Sequence, residues 1–205
     1  MNHKVNNVQQ LHSDASSLMN NVVLGSGDAS ADTILANLNA GIENLKANWK
    51  GKDAGVQILS LIRVHNAMVS VRNALAQLAA DSSKVAANYR EIQNANGAGL
   101  EILGVLTFEA KSNLADYSDT ADTVDINSQA NTGKQNIDAA NNNIDAFIGN
   151  VKSSYSAIKE NWTVGTGRDS AEEAFSSFIS NVAQYKQVLA ETSSNIATAL
   201  QNYTM

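Results

Sequence analysis

The chain has 205 residues, with 14 basic and 20 acidic side chains and a formal net charge of −6. That balance argues against non-specific nucleic-acid binding, which needs basic patches to displace counterions from phosphate. Cysteine and proline are both absent, although average usage would place about ten prolines in such a chain. Disulfides, thiol catalysis and thiolate metal sites are thereby excluded, and nothing interrupts long helices, which an interior proline destabilises by about 3 kcal/mol.

Taken in chain order, Val5, Val8, His12, Ala15, Leu18 and Val22 recur at steps of three and four and predict one helix face. They are spaced rather than consecutive, so this start lacks the apolar core of a secretory signal peptide. Gly25-Ser26-Gly27-Asp28 ends that helix. A second helix is predicted from Ser30 to Asn48, with Ile34, Leu38, Ile42 and Leu45 in a stripe that Trp49 continues. The turn Lys50-Gly51-Lys52 follows, and Asp53 is placed to cap the next helix by accepting a backbone N–H.

The third helix, about Ala54 to Asn94, carries apolar residues on nearly every face between Val56 and Leu78, which predicts a helix surrounded by others. Gly97, Gly99 and Gly104 break the pattern. Residues 98–128 read as a connector, helical in part or not at all, with a short apolar piece (Leu100, Leu103, Leu106, Phe108) and a solvated acidic series at Asp116, Asp119, Asp122 and Asp125. No apolar run approaches the roughly 20 residues that span a bilayer, so no transmembrane segment is expected.

The second half has a heptad seam: Ile137, Ile144, Ile148, Val151, Tyr155, Ile158 and Trp162. Beyond the bend Trp162-Thr163-Val164-Gly165, the residues Phe175, Phe178, Val182, Tyr185, Leu189, Ile196, Ala199 and Tyr203 keep that spacing, with Thr192 filling a weak position. Ser170-Ala171-Glu172-Glu173 has the form of a capping box, which starts this helix near Ala171. The organisation expected is an N-terminal helix (1–27), a first hairpin (28–97), the connector (98–128) and a second hairpin (129–205). Each hairpin exposes an apolar stripe that the other can bury. The fold class is therefore all-α: an elongated four-helix bundle of two helix-turn-helix hairpins sharing one core, with an additional N-terminal helix.

Both bends pair a Trp with a nearby Gly after an Asn, as Asn48-Trp49-Lys50-Gly51 and Asn161-Trp162-Thr163-Val164-Gly165. A Trp-x-Gly bend between two long helices resembles the WXG-motif family of early-secreted-antigen-like proteins. Trp49 and Gly51 fit the motif as written; Trp162 and Gly165 form a longer variant. The resemblance covers about Ser30 to Asn94 and Thr132 to Met205. Its members are about one hairpin long, pair as antiparallel dimers into four-helix bundles, and are substrates of bacterial type VII secretion systems. It implies a fused pair that is a monomer or weak dimer, with protein partners such as the secretion machinery or a cognate WXG-like or effector protein. It also implies export without a signal peptide, or residence in the cytoplasm before export. The family's companion signal, a Tyr followed four residues later by Asp or Glu, is not met at Tyr89, Tyr185 or Tyr203.

No enzymatic constellation emerges. His3, His12 and His65 lack the spacing of three or four that joins metal ligands on a helix, and no Ser sits in a nucleophile elbow. Gly165-Thr166-Gly167-Arg168 lacks the phosphate-loop spacing and reads as a loop and cap. The acidic series is three apart, not two apart as in a calcium loop. The expectation is a non-enzymatic protein without cofactor or metal, acting through helix–helix contacts. The competing expectation is a ligand-sensing or adaptor helical bundle unrelated to secretion.

Overall fold

The computed structural model of the chain describes residues 4–163 and 166–203, and its regular secondary structure is helical apart from two short strands. Helix α1 (Val8–Ser17) runs directly into a π-helical stretch, Leu18–Val23. Helix α2 (Ala31–Asn48) meets strand β1 (Trp49–Lys50), and α3 (Lys52–Ala95) follows at once. Strand β2 (Asp125–Ile126) precedes α4 (Ala130–Asn161), and α5 (Thr166–Tyr203) closes the chain.

Local signals explain the first boundaries. The Asn7 side chain caps α1 by accepting from the Gln10 N–H, and Ser30 caps α2 by accepting from the Thr33 N–H. The predicted stripe of α2 (Ile34, Leu38, Ile42 and Leu45) is wholly buried. The first helix differs from its simple three–four pattern. The π-helical stretch shifts the register, so Met19 and Val23 are buried together with Leu18 and Val22.

Helix α2 packs on α3 and α4, α5 packs on the same two, and α1 also packs on α3 and α4. At 32 residues, α4 is about 48 Å long. The chain entering α1 meets the end of α4, and the end of α2 meets the chain entering α4. Thus α1 and α2 together run antiparallel to α4 along its length. Within the second hairpin, Ile137, Ile144, Val151 and Ile158 are buried on α4, while Ile148 and Tyr155 are half-buried. Phe147, outside the predicted seam, is fully buried and meets Phe178 edge-on at 6.3 Å between ring centroids. Thr192 does fill its place in the core: it is fully buried, 2.9 Å from the Gln57 Oε1 on α3.

Helix α3 is long and apolar enough to cross a membrane by length and composition, and the larger part of its most apolar stretch is buried inside the protein. Part of its cover is the connector. Residues 98–124 hold no helix; they lie extended and run back along α3, from Arg90, which donates to the Glu101 carbonyl, to Lys52, whose N–H donates to the Ala121 carbonyl. Gly97 and Gly99, at φ 88° and 61°, reverse the chain at the end of α3.

Side chains of α3 satisfy the backbone of this strap. The Asn66 amide donates to the Leu114 carbonyl at 2.9 Å while its oxygen accepts from the Leu114 N–H at 2.8 Å. Asn73 does the same to Lys111, at 2.8 and 3.0 Å. Seven residues of helix rise about 10.5 Å and three residues of extended chain span about 10 Å, so Asn66 and Asn73 stay in register with Leu114 and Lys111. Next to Asn73, the buried Arg72 joins three elements: it pairs with Asp32 of α2 at 3.0 Å, donates to the Glu109 carbonyl at 2.7 Å and lies over the Phe108 ring.

Removing either carboxamide leaves two strap backbone groups unpaired. Asn66→Ala and Asn73→Ala should each destabilise the protein by about 1–2 kcal/mol, and native-state hydrogen exchange should show the Leu114 or Lys111 amide, respectively, opening faster than its neighbours.

Candidate functional site: the two tryptophan bends

Trp49 and Trp162 follow the last residues of α2 and α4 and adopt nearly the same backbone, φ/ψ −134°/118° and −128°/98°. In each, the Trp N–H continues the helix by donating four residues back, to Leu45 and to Ile158. Each then pairs with an extended piece from elsewhere. Trp49 stands opposite Ile126 in the two-stranded antiparallel pair β1–β2, and Trp162 forms an antiparallel bridge with Val5. The carbonyl of Asn48 accepts from the Asn127 N–H at 3.1 Å, and that of Asn161 accepts from the Asn6 N–H at 3.0 Å. The dipeptides Val5-Asn6 and Ile126-Asn127 are thus equivalent, and each lies just before the helix whose partner arm it closes. They are a repeat in the sequence that the Trp-centred reading missed.

Both indoles are interior, 3% and 2% exposed. An exposed Trp edge available to a partner is therefore not what the bends present. The Trp49 indole N–H finds no acceptor among the described residues. Gly51 sits at φ 115°, and a Cβ there would run into the Thr123 carbonyl oxygen; the motif glycine makes room for the returning connector as well as for the turn. Gly165, its counterpart, lies outside the described residues.

Comparison with protein-family models, with curated proteins and with solved structures finds no match.

The start of α3 is finished by a residue distant in sequence. Asp53 makes no capping bond; instead the Asp119 carboxylate accepts from the Gly51 N–H and the Ala121 N–H, both at 3.0 Å. These two bonds, Gly51 first, hold the Asp119 pKa below its ordinary value. Asp119 therefore leaves the solvated acidic series, whose other members Asp116, Asp122 and Asp125 are exposed. Gly55 completes the fit, since a Cβ there would lie 2.7 Å from the Asp119 backbone nitrogen.

At the other bend, α5 begins at Thr166, so Ser170 lies inside the helix and caps nothing. Glu172 instead accepts from the Tyr155 hydroxyl of α4 at 2.6 Å and lies 3.5 Å from the Lys159 ammonium. Burial and that carboxylate push the Tyr155 pKa upward. Arg168 donates to the Thr163 and Trp162 carbonyls at 2.6 and 3.3 Å, which ties the head of α5 to the end of α4.

His12 reaches the strap, its Nε2 lying 2.8 Å from the Gly104 carbonyl. His65 is buried beside Asn66, and desolvation lowers its pKa. His3 lies outside the described residues.

Three measurements follow from this geometry. Trp49→Ala and Trp162→Ala should each cost about 3–5 kcal/mol of stability in denaturant titrations. Gly51→Ala should cost about 2 kcal/mol or more through its strained φ and the clash with Thr123. Asp119→Ala should lower Tm at neutral pH. Because the folded-state pKa of Asp119 is depressed, its contribution is complete above the ordinary carboxylate range and fades as pH falls through the depressed value; the Tm gap between variant and wild type should close over that acid range.

Proposed function

We propose that the chain is a fused pair of WXG-like helical hairpins that does in one polypeptide what the family builds from two. The observation that carries this reading is the reciprocal closure of the bends: the segment entering each half seals the Asn-Trp bend of the other. On this reading α1 and α2 together are the first arm, equivalent to α4, and the loop after the π-helical stretch is an insertion in it. The four units α1–α2, α3, α4 and α5 then form a four-helix bundle. The two buried indoles suit a particle that meets its partners as a folded bundle, through helix faces rather than through a reaction.

Its function is that of a non-enzymatic substrate, effector or partner protein of a bacterial type VII secretion system. The supporting features are the motif bends and the fused-pair architecture. The unmet Tyr-based signal assigns recognition to a divergent signal or to a co-exported partner.

Two measurements test the proposal. The purified 21.7 kDa chain should elute as a monomer in light-scattering chromatography; an obligate dimer through the hairpin faces would overturn the fused-pair reading. Expressed in a host with a type VII system, the protein should reach the culture supernatant only when the secretion ATPase is intact. Retention in the cell pellet in both strains would overturn the secretion reading.

A further inference from the structure

A cleft of about 360 Å³ opens at the Trp49 end of the protein, between the start of α3 and the end of α5. Val56, Val124 and Tyr203, which line it, are large apolar residues left exposed, at 59%, 38% and 56%. Its α5 wall carries Asn195 and Asn202. Neither carboxamide has a hydrogen-bond partner among the described residues, and Asp53, the one charged residue lining the cleft, has no ion pair there.

The protein shows elsewhere what such a pair of asparagines does. Asn66 and Asn73, seven residues apart on α3, each grip both backbone groups of one connector residue, and the two gripped residues are three apart. Asn195 and Asn202 are also seven apart on one helix face, so they offer the same two-turn repeat of about 10.5 Å, matched to three residues of extended chain. The connector's own track ends at this cleft, because Val124 lines it and Ile126 pairs with Trp49 next to it. A second extended chain would continue that track onto α5.

We propose that this cleft binds an extended peptide segment of a partner protein, its backbone clasped by Asn195 and Asn202, its apolar side chains against Val56, Val124 and Tyr203, and a Lys or Arg facing Asp53. Backbone clasping supplies affinity with little sequence demand, while the single carboxylate selects a basic residue. The inference stands on the cleft and the connector's precedent, and is independent of whether the protein is secreted.

A random octapeptide library displayed on phage, panned on the full chain, tests it. Wild-type protein should enrich peptides that set a Lys or Arg among β-branched residues. Asn195→Ala/Asn202→Ala should bind those peptides at least tenfold more weakly, with an unchanged circular-dichroism spectrum and Tm, since both residues are exposed. Asp53→Lys should keep the clasp and shift enrichment to peptides carrying Asp or Glu, so the outcome does not hang on one variant. No enrichment on wild type above bare support, or equal affinity of the selected peptides for wild type and both variants, would overturn the proposal.

Discussion

The rest of the architecture depends on how two helix ends are closed. A helix ends with carbonyls that have no partner within it, and here the ends of α2 and α4 lie beside buried indoles, where an unpaired carbonyl would be costly. Each half solves this with backbone from the other: Asn6 serves Asn161 and Asn127 serves Asn48. That exchange sets the antiparallel course of α1–α2 against α4. It also places α3 and α5 as the two arms that leave the bends.

The second constraint is the apolar excess of α3. Neighbouring helices cover most of it, and the connector covers more as a single extended strand with no sheet around it. Such a strand would normally leave its N–H and C=O groups to water. Asn66, Asn73, Ser83, Arg72 and Arg90 take the place of a neighbouring strand, from one face of a helix. Leu103, Leu106 and Phe108 meanwhile turn inward onto the core. Asp119 ends the strap and begins α3 with the same carboxylate, so the connector's course and the geometry of the first bend are one structural unit.

Much of this was legible in the sequence, and the misses share a cause. Period-3.6 stripes located the helices because burial imposes that period, and Trp49 and Trp162 marked the bends because large indoles at helix ends must be covered. The connector has no period of its own. Its partners are polar side chains on a helix, and Asn66 or Asn73 in a helical stretch looks like ordinary solvent-facing surface. Asp53 and Ser170 matched local capping patterns, yet tertiary structure overrode both: a carboxylate from far along the chain took the first role, and α5 began earlier than the second implied. Asp119 was indistinguishable from its exposed neighbours Asp116 and Asp122 until the strap's course was known. The short dipeptides Val5-Asn6 and Ile126-Asn127 are too small to stand out as a repeat without the bends they close.

Reciprocal closure has a topological consequence. The contacts that one half makes with the other would be the same if the second half came from another molecule, so the interfaces themselves do not choose between a closed monomer and an exchanged pair. The choice is made by effective concentration, which falls as the free length of a linker grows. Clasped to α3 along its course, the connector holds β2 beside Trp49 and leaves little slack. The asparagine clasps therefore do more than satisfy a backbone: they keep short the tether on which that choice depends.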